Sequence, residues 1–104
     1  MNDVLETAAI KKALGAENAE KAYISSTKSM TGHMLGAAGA VEALACLHVL
    51  NDGIIPPTIN LNEQDEACDL NCVPNKAVHA DITLALSNSL GFGGHNACLA
   101  FRKV

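Results

Sequence analysis

Residues 33–50 read HMLGAAGAVEALACLHVL, and this stretch decides the fold. The pattern predicts one long helix that ends within the following residues 51–57, NDGIIPP, because glycine and proline terminate helices. This helix is apolar on nearly every face, and Glu42 is its one formal charge. A helix without a polar side must be surrounded by protein, and a chain of 104 residues has too little left over to surround it. We therefore expect a fragment or an obligate partner.

The composition describes a folded chain without a nucleic-acid partner. It is 49% apolar and only 17% charged, which is typical of a globular protein with one core. The net charge is −4 and the seven Lys and Arg residues are scattered, so they form no basic stripe for nucleic acid. The first residues lack the pattern of a secretion signal, and two glycines, Glu42 and His48 interrupt the apolar run at 34–50. We therefore expect a cytoplasmic protein without a membrane span.

The four cysteines suggest neither a disulfide framework nor a catalytic thiol. Cys46 lies in the apolar helix and Cys98 in a strand pattern, as small hydrophobic residues do, which favours a reducing compartment. Cys68 and Cys72 are spaced C-x3-C without a second pair, which makes a weak metal site. As a nucleophile beside His33, Cys46 would be about 20 Å away along the helix, Cys68 lies among acids, and Cys98 is in mid-strand. We expect no metal and no cofactor.

The remaining sequence predicts short helices and strands. The capping-box spacing of Asp3 and Glu6 predicts a helix that ends near Leu14. Further predictions are a polar loop at 16–21, an inner strand at 22–26, a turn at 27–32, a short strand at 58–61, an acidic loop at 62–71 and an extended segment at 72–78. Strand patterns at 82–88 and 97–102 predict an antiparallel pair joined by the glycine-rich stretch SLGFGGHN at 89–96.

Two polar residues, Lys28 and His33, come just before or at the predicted start of the apolar helix. The helix dipole and the lysine both disfavour a second positive charge there, so we expect His33 to stay neutral. A neutral imidazole can donate to a developing oxyanion, and a histidine that only caps the helix is the alternative. Glu42 needs a partner if it is buried, and Lys28 is the nearest cation in sequence. The alternative is that Glu42 emerges at a surface strip.

Two glycine-rich features suit either a structural or a functional role. Gly36 and Gly39 leave one flank of the predicted helix poor in side chains, which favours close packing over ligand binding. Gly91, Phe92 and Gly93 form a flexible loop around one aromatic ring. That loop suits a hairpin turn or a gate over a pocket, and its backbone amides are candidate oxyanion donors.

Three stretches together resemble one enzyme family. They are SSTKSMTGHMLGAAG at 25–39, PPTINL at 56–61 and NSLGFGG at 88–94. They resemble the C-terminal portion of the bacterial-type 3-oxoacyl-[acyl carrier protein] synthase II family of β-ketoacyl condensing enzymes. The resemblance implies a thiolase-like α/β fold of two similar halves, with a mixed sheet packed on a buried central helix and an antiparallel strand pair at its end. Residues 1–104 would then be a C-terminal fragment of the second half.

The resemblance also implies residue roles. His33 matches the second of two histidines that assist decarboxylation of malonyl-carrier protein, after which the carbanion attacks the acyl thioester. Lys28 matches the lysine beside that histidine, and Glu42 matches the carboxylate associated with the lysine. Phe92, flanked by Gly91 and Gly93, matches the gatekeeper phenylalanine, whose backbone N–H joins the oxyanion hole. The implied partners are acyl carrier protein, the remainder of the synthase and a second copy in a homodimer.

Departures from the family pattern bear on activity. The nucleophilic cysteine and the first catalytic histidine, which belongs to a His-Gly-Thr motif, are absent, so we expect the isolated chain to be inactive. Leu90 stands where phenylalanine is common, and His95 stands where threonine is common. One alternative is a non-catalytic partner subunit or interaction module of a condensing enzyme, which retention of Lys28, His33 and Phe92 disfavours. A thiolase-type acyltransferase is the other, and its Cys-x-Gly near the C-terminus is missing.

Overall fold

The computed structural model describes residues 2–91 and 93–104. In chain order its elements are α1 (Asn2–Leu14), α2 (Ala16–Lys21), α3 (Lys28–Thr31), a 3-10 turn (Leu35–Ala37), α4 (Ala38–Asp52), β1 (Ile54–Ile55), β2 (Val78–His79), β3 (Leu84–Leu90) and β4 (Asn96–Arg102).

Helix α1 confirms the first helix prediction. It ends at Leu14, with basic residues in its last turn, and Gly15 follows at φ 83°. Asp3 lies inside the first turn rather than at the N-cap. The Lys11 ammonium donates to the Asp69 carboxylate, and this hydrogen bond holds the pKa of Asp69 below its usual value. The pair ties α1 to the acidic loop.

Two predictions for the residues between α1 and α3 are wrong. Residues 16–21 form helix α2 rather than a loop, because alanine, glutamate and lysine are strong helix formers and Ala19 is fully buried as an anchor. Residues 22–26 form no strand. Ile24 donates its N–H to the carbonyl of Asn71 at 2.8 Å, but this bond is not part of a β-ladder. The turn predicted at 27–32 contains the single helical turn α3.

The central helix begins later than predicted. Gly32 at φ 78° and Leu35 at φ 52° interrupt helical geometry, so α4 starts at Ala38 rather than at His33. Its end is as predicted: Gly53 takes the left-handed conformation at φ 68°, and its N–H donates to Val49 O at 2.9 Å.

Gly53 is also the point where the chain leaves α4 and enters the first strand pair. Its carbonyl accepts the Ala80 N–H at 2.8 Å, and a Cβ at Gly53 would lie 2.9 Å from the Ala80 carbonyl oxygen. No other residue type fits this approach without a shift of the backbone. Beyond it, β1 pairs antiparallel with β2, a pairing that the sequence did not predict.

The predicted hairpin is present. Strands β3 and β4 pair antiparallel over seven positions, from Leu84 opposite Arg102 to Leu90 opposite Asn96. Helix α4 packs on this pair. The described residues thus contain two separate antiparallel pairs where we expected one mixed sheet, and the strand expected at 58–61 is reduced to a single parallel bridge between Thr58 and Pro74.

Little of the chain's apolar surface is enclosed. The buried apolar side chains of the described residues are Ala19, Leu50, Ile55, Leu70 and Val73. The helix expected to be buried is therefore open along most of its length: within α4, Leu44 and Leu47 are 56% and 48% exposed. Most side chains of β3 and β4 are exposed as well.

Candidate functional site

The three charged or titratable candidates lie on α3, on the loop after it and on α4. Lys28 is the first residue of α3, and Glu42 lies near the start of α4. The Lys28 Nζ donates to Glu42 Oε1 at 2.5 Å, with 41% and 18% of the two side chains exposed. The predicted ion pair is therefore present, and Glu42 does not stand alone at a surface strip. The pair joins α3 to α4 across a shallow cleft.

Gly32 directs the chain out of α3 towards His33. The α3 turn ends when the Gly32 N–H donates to the Lys28 carbonyl at 2.8 Å, with Gly32 at φ 78° and ψ 169°. A side chain would be strained at this φ, so glycine is needed for the change of direction. The Thr31 hydroxyl donates to Thr27 O at 3.1 Å and closes the same turn.

His33 has one ring nitrogen occupied. Its Nδ1 accepts the backbone N–H of Leu35 at 3.0 Å, and the ring is exposed to solvent. An accepting Nδ1 carries no proton, so the neutral imidazole has its hydrogen on Nε2. The Nε2–H group is the donor that remains for a ligand oxygen.

The structure does not place His33 at the start of the central helix. The residue lies before the 3-10 turn and outside α4, whereas the helix dipole acts mainly within the first helical turn. The hydrogen bond from the Leu35 N–H instead fixes the orientation of the imidazole ring. Leu35 adopts φ 52° to make it, an uncommon conformation for a residue with a bulky side chain. No sequence signal identifies a backbone donor of this kind.

The glycine-rich connection between β3 and β4 is a closed hairpin end. The Gly91 N–H donates to His95 O at 2.6 Å, and Gly93 has φ 79°. Phe92, the predicted gate, lies outside the described residues. The His95 ring lies against Gly93, where an added Cβ would be 3.8 Å from His95 Cδ2. The hairpin interpretation is confirmed, and the gate stays a prediction.

Two of the cysteines are poor nucleophiles for physical reasons. Burial and the negative charge of Glu42 raise the pKa of the Cys46 thiol. Burial, Cys68 and Asp3 raise the pKa of Cys72. A raised pKa lowers the thiolate fraction, whereas a catalytic cysteine needs it increased.

The described residues contain neither a cluster of metal ligands nor a membrane-spanning helix. Across residues 2–91 and 93–104, no three His, Cys, Asp or Glu side chains converge as ligands of a metal ion would. Among the described helices, none combines the length and the apolar character needed to cross a membrane.

Comparison with protein families identifies the first part of the chain. The family model described as the C-terminal domain of β-ketoacyl synthases matches residues 1–62. The chain is 50% identical to 3-oxoacyl-[acyl-carrier-protein] synthase 2 of Vibrio harveyi, over 98% of this chain and 25% of that protein. It is 53% identical to the same enzyme of Synechocystis, over 98% of this chain and 24% of that protein. The chain thus spans about a quarter of the length of these relatives.

Two solved structures have a similar fold. One is a type II polyketide synthase acyl-carrier protein in complex with its ketosynthase, with a TM-score of 0.91, 41% identity and coverage of 95% of this chain and 24% of that chain. The other is the ishigamide ketosynthase/chain length factor, with a TM-score of 0.90, 42% identity and coverage of 99% and 25%. The condensing-enzyme fold predicted from the sequence is confirmed.

Proposed function

The chain belongs to the β-ketoacyl synthase family, and from that premise we propose that it forms part of an enzyme of fatty-acid elongation. The reaction is a decarboxylative Claisen condensation between an acyl group and a malonyl group, each carried as a thioester on acyl carrier protein. The observation that carries the proposal is the state of His33: Nδ1 is occupied by the Leu35 N–H, and Nε2–H is left as a donor.

His33 has a defined part in this reaction. Its Nε2–H donates to the malonyl thioester oxygen as the bond to the carboxylate breaks and CO2 leaves. The resulting carbanion attacks the carbonyl carbon of the acyl group on the nucleophilic cysteine, and the cysteine thiolate departs. The Lys28–Glu42 pair anchors the turn that precedes His33 and places a cation beside the site. Phe92 is proposed as the gate, with its N–H in the oxyanion hole and Gly91 and Gly93 as its flexible flanks.

The remaining components are proposed to come from outside residues 1–104. The chain spans about a quarter of its relatives, and the nucleophilic cysteine and first histidine of the family have no match in its sequence. The open apolar surface of α4 and β3, including Leu44, Leu47, Leu84 and Leu86, supports a chain that packs against more protein. We assign residues 1–104 to the C-terminal part of the second thiolase-like half, and we expect no condensation from this chain alone.

Partners and location follow from the same assignment. One similar structure is a ketosynthase in complex with an acyl-carrier protein, which supports acyl carrier protein as the partner that delivers both substrates. The complete enzyme is proposed to be a homodimer in the cytoplasm.

A second candidate function is a non-catalytic partner subunit. It is favoured by the likeness to the ishigamide ketosynthase/chain length factor, a structure that includes a chain length factor as well as a ketosynthase. The two candidates differ in whether His33 takes part in decarboxylation.

A hybrid synthase tests the proposal. In this hybrid, the chain replaces the matching 25% of the Vibrio harveyi relative. With acyl- and malonyl-carrier protein, we expect β-ketoacyl product and CO2 from the hybrid and neither from the isolated chain. Acyl transfer to the cysteine without product would favour the non-catalytic subunit. Loss of both steps would count against the assignment, because a segment of the same enzyme should replace its counterpart.

A further inference from the structure

Two segments that are distant in sequence exchange hydrogen bonds beside the site. The Ser26 N–H donates to Thr58 Oγ1 at 3.0 Å, and the Ile59 N–H donates to Ser29 Oγ at 2.9 Å, across 32 and 30 residues. Each segment thus supplies one hydroxyl that accepts a backbone N–H of the other. We call the pair of hydroxyls, Ser29 and Thr58, the hydroxyl clamp. The Ser29 hydroxyl also donates to Ser26 O at 3.0 Å, so both of its hydrogen-bonding roles are used.

The segment on the far side of the clamp is held firmly in place. The Thr58 N–H donates to Val73 O at 3.0 Å, and the Asn75 N–H donates to Thr58 O at 2.9 Å. The Asn75 side chain brackets Leu61: its Oδ1 accepts the Leu61 N–H at 3.1 Å, and its Nδ2 donates to Leu61 O at 2.6 Å. These bonds make residues 58–61 a fixed support for α3.

Helix α3 needs such a support. It has four residues, its N-cap Thr27 makes no side-chain cap bond, and it buries no residue. One turn of helix is not stable by itself. Lys28 ties α3 to α4 through Glu42, and the hydroxyl clamp ties its other side to residues 58–59.

We propose that Ser29 and Thr58 are positioning residues for His33, a role that rests on the proposed function. His33 follows α3 directly after Gly32, so a shift of the turn moves the imidazole. An error of about 1 Å in a catalytic group can lower a rate by about a hundredfold. In the proposed reaction His33 acts in the decarboxylation step, so we expect the clamp to affect decarboxylation and to leave acyl transfer to the cysteine unchanged.

The test uses Ser29→Ala and Thr58→Val in the hybrid synthase. Each variant removes one hydroxyl, and Thr58→Val keeps the shape of the side chain. We expect CO2 release from malonyl-carrier protein to fall by about ten- to a hundredfold in kcat, with the rate of acyl-enzyme formation unchanged. Thr58→Ser keeps the hydroxyl and should restore decarboxylation. Thr7→Val is the matched control, because the hydrogen bond that the Thr7 hydroxyl makes among the described residues lies within α1, to Asp3 O at 2.7 Å.

The outcomes separate this inference from the proposed function. Clamp variants with native decarboxylation, or with acyl transfer reduced in the same proportion, would overturn the positioning role. A Ser29→Ala/Thr58→Val double variant whose loss is the product of the two single losses would overturn the idea that the hydroxyls act as one unit. Failure of the unmutated hybrid to decarboxylate would instead refute the proposed function, and the positioning role would fall with it.

Discussion

Replacement of Glu42 by glutamine removes the charge that holds α3 against α4. Glutamine keeps the shape and an oxygen acceptor, so the change isolates the charge of the 2.5 Å contact with Lys28. Exposed ion pairs contribute up to about 1 kcal/mol, and breaking a buried pair costs about 3–5 kcal/mol. Because the two side chains are 41% and 18% exposed, we expect a cost between these limits, about 1.5 kcal/mol.

This free energy limits the effect on catalysis. If the pair keeps the turn before His33 in place, this cost of about 1.5 kcal/mol lowers the population of the placed state by roughly tenfold. We expect kcat for decarboxylation by the hybrid synthase to fall by about that factor in Glu42→Gln. The assay is CO2 release from malonyl-carrier protein, beside a thermal unfolding curve for each variant.

Glu17→Gln is the matched control for this experiment. It makes the same chemical change in the Glu17–Lys21 pair of α2, which is longer at 3.6 Å and has side chains 86% and 72% exposed. We expect an effect on decarboxylation within twofold, because a pair this exposed contributes at most a few tenths of a kcal/mol, about 0.3–0.5. Equal rates for the two variants would refute the reasoning, since the position of α3 would then not depend on Glu42.

Two further predictions concern side chains of α4. Leu44→Ala should destabilise the hybrid synthase by about 2–5 kcal/mol, as much as Leu50→Ala, although Leu44 is 56% exposed and Leu50 7% exposed in this chain. The measurement is urea unfolding of the two variants. If Leu44→Ala leaves the stability unchanged, that face of α4 lies at the surface of the hybrid. Because the pKa of Cys46 is raised, the folded state holds the thiol proton more tightly than the unfolded state. The protonated thiol therefore stabilises the fold below the unfolded-state pKa of 9.0, and this contribution is lost as the pH rises through the folded-state pKa. Urea midpoints measured from pH 7 to pH 10 should therefore fall less in Cys46→Ala than in the unmutated hybrid, and parallel profiles would contradict the raised pKa.

Local chemistry made one end of the central helix predictable and left the other end uncertain. The C-terminus depends on Gly53, whose left-handed conformation is a local property of glycine. The N-terminus depends on Leu35 at φ 52°, a conformation that leucine disfavours and that accompanies the hydrogen bond from its N–H to His33 Nδ1. The sequence pattern therefore placed the start at His33, ahead of the true start at Ala38.

Strand predictions depended on whether the partner was in the chain. Residues 84–90 and 96–102 pair with each other across a short connection, so alternation and glycines were enough to find them. Residues 22–26 have strand-forming composition but form no ladder among the described residues. Composition reports a preference for extended backbone, whereas a strand also needs a neighbour.

The site was predictable where charge demanded a partner. A carboxylate buried in an apolar helix needs a cation, and Lys28 was predicted as its partner because it is the nearest cation in sequence. The sequence does not predict the hydroxyl clamp in the same way. Ser29 and Thr58 accept hydrogen bonds from backbone N–H groups about 30 residues away, and either hydroxyl could have bonded a backbone group of its own turn instead.

The role of His33 is tested most directly by CO2 release from malonyl-carrier protein, measured for the hybrid synthase and for its His33→Ala variant. If Nε2–H is an oxyanion donor, the variant still forms the acyl-enzyme and its decarboxylation falls by about 10²–10³-fold, the usual effect of removing one such donor. Undiminished CO2 release from His33→Ala would contradict this role, because the Nε2–H group would then take no part in the reaction.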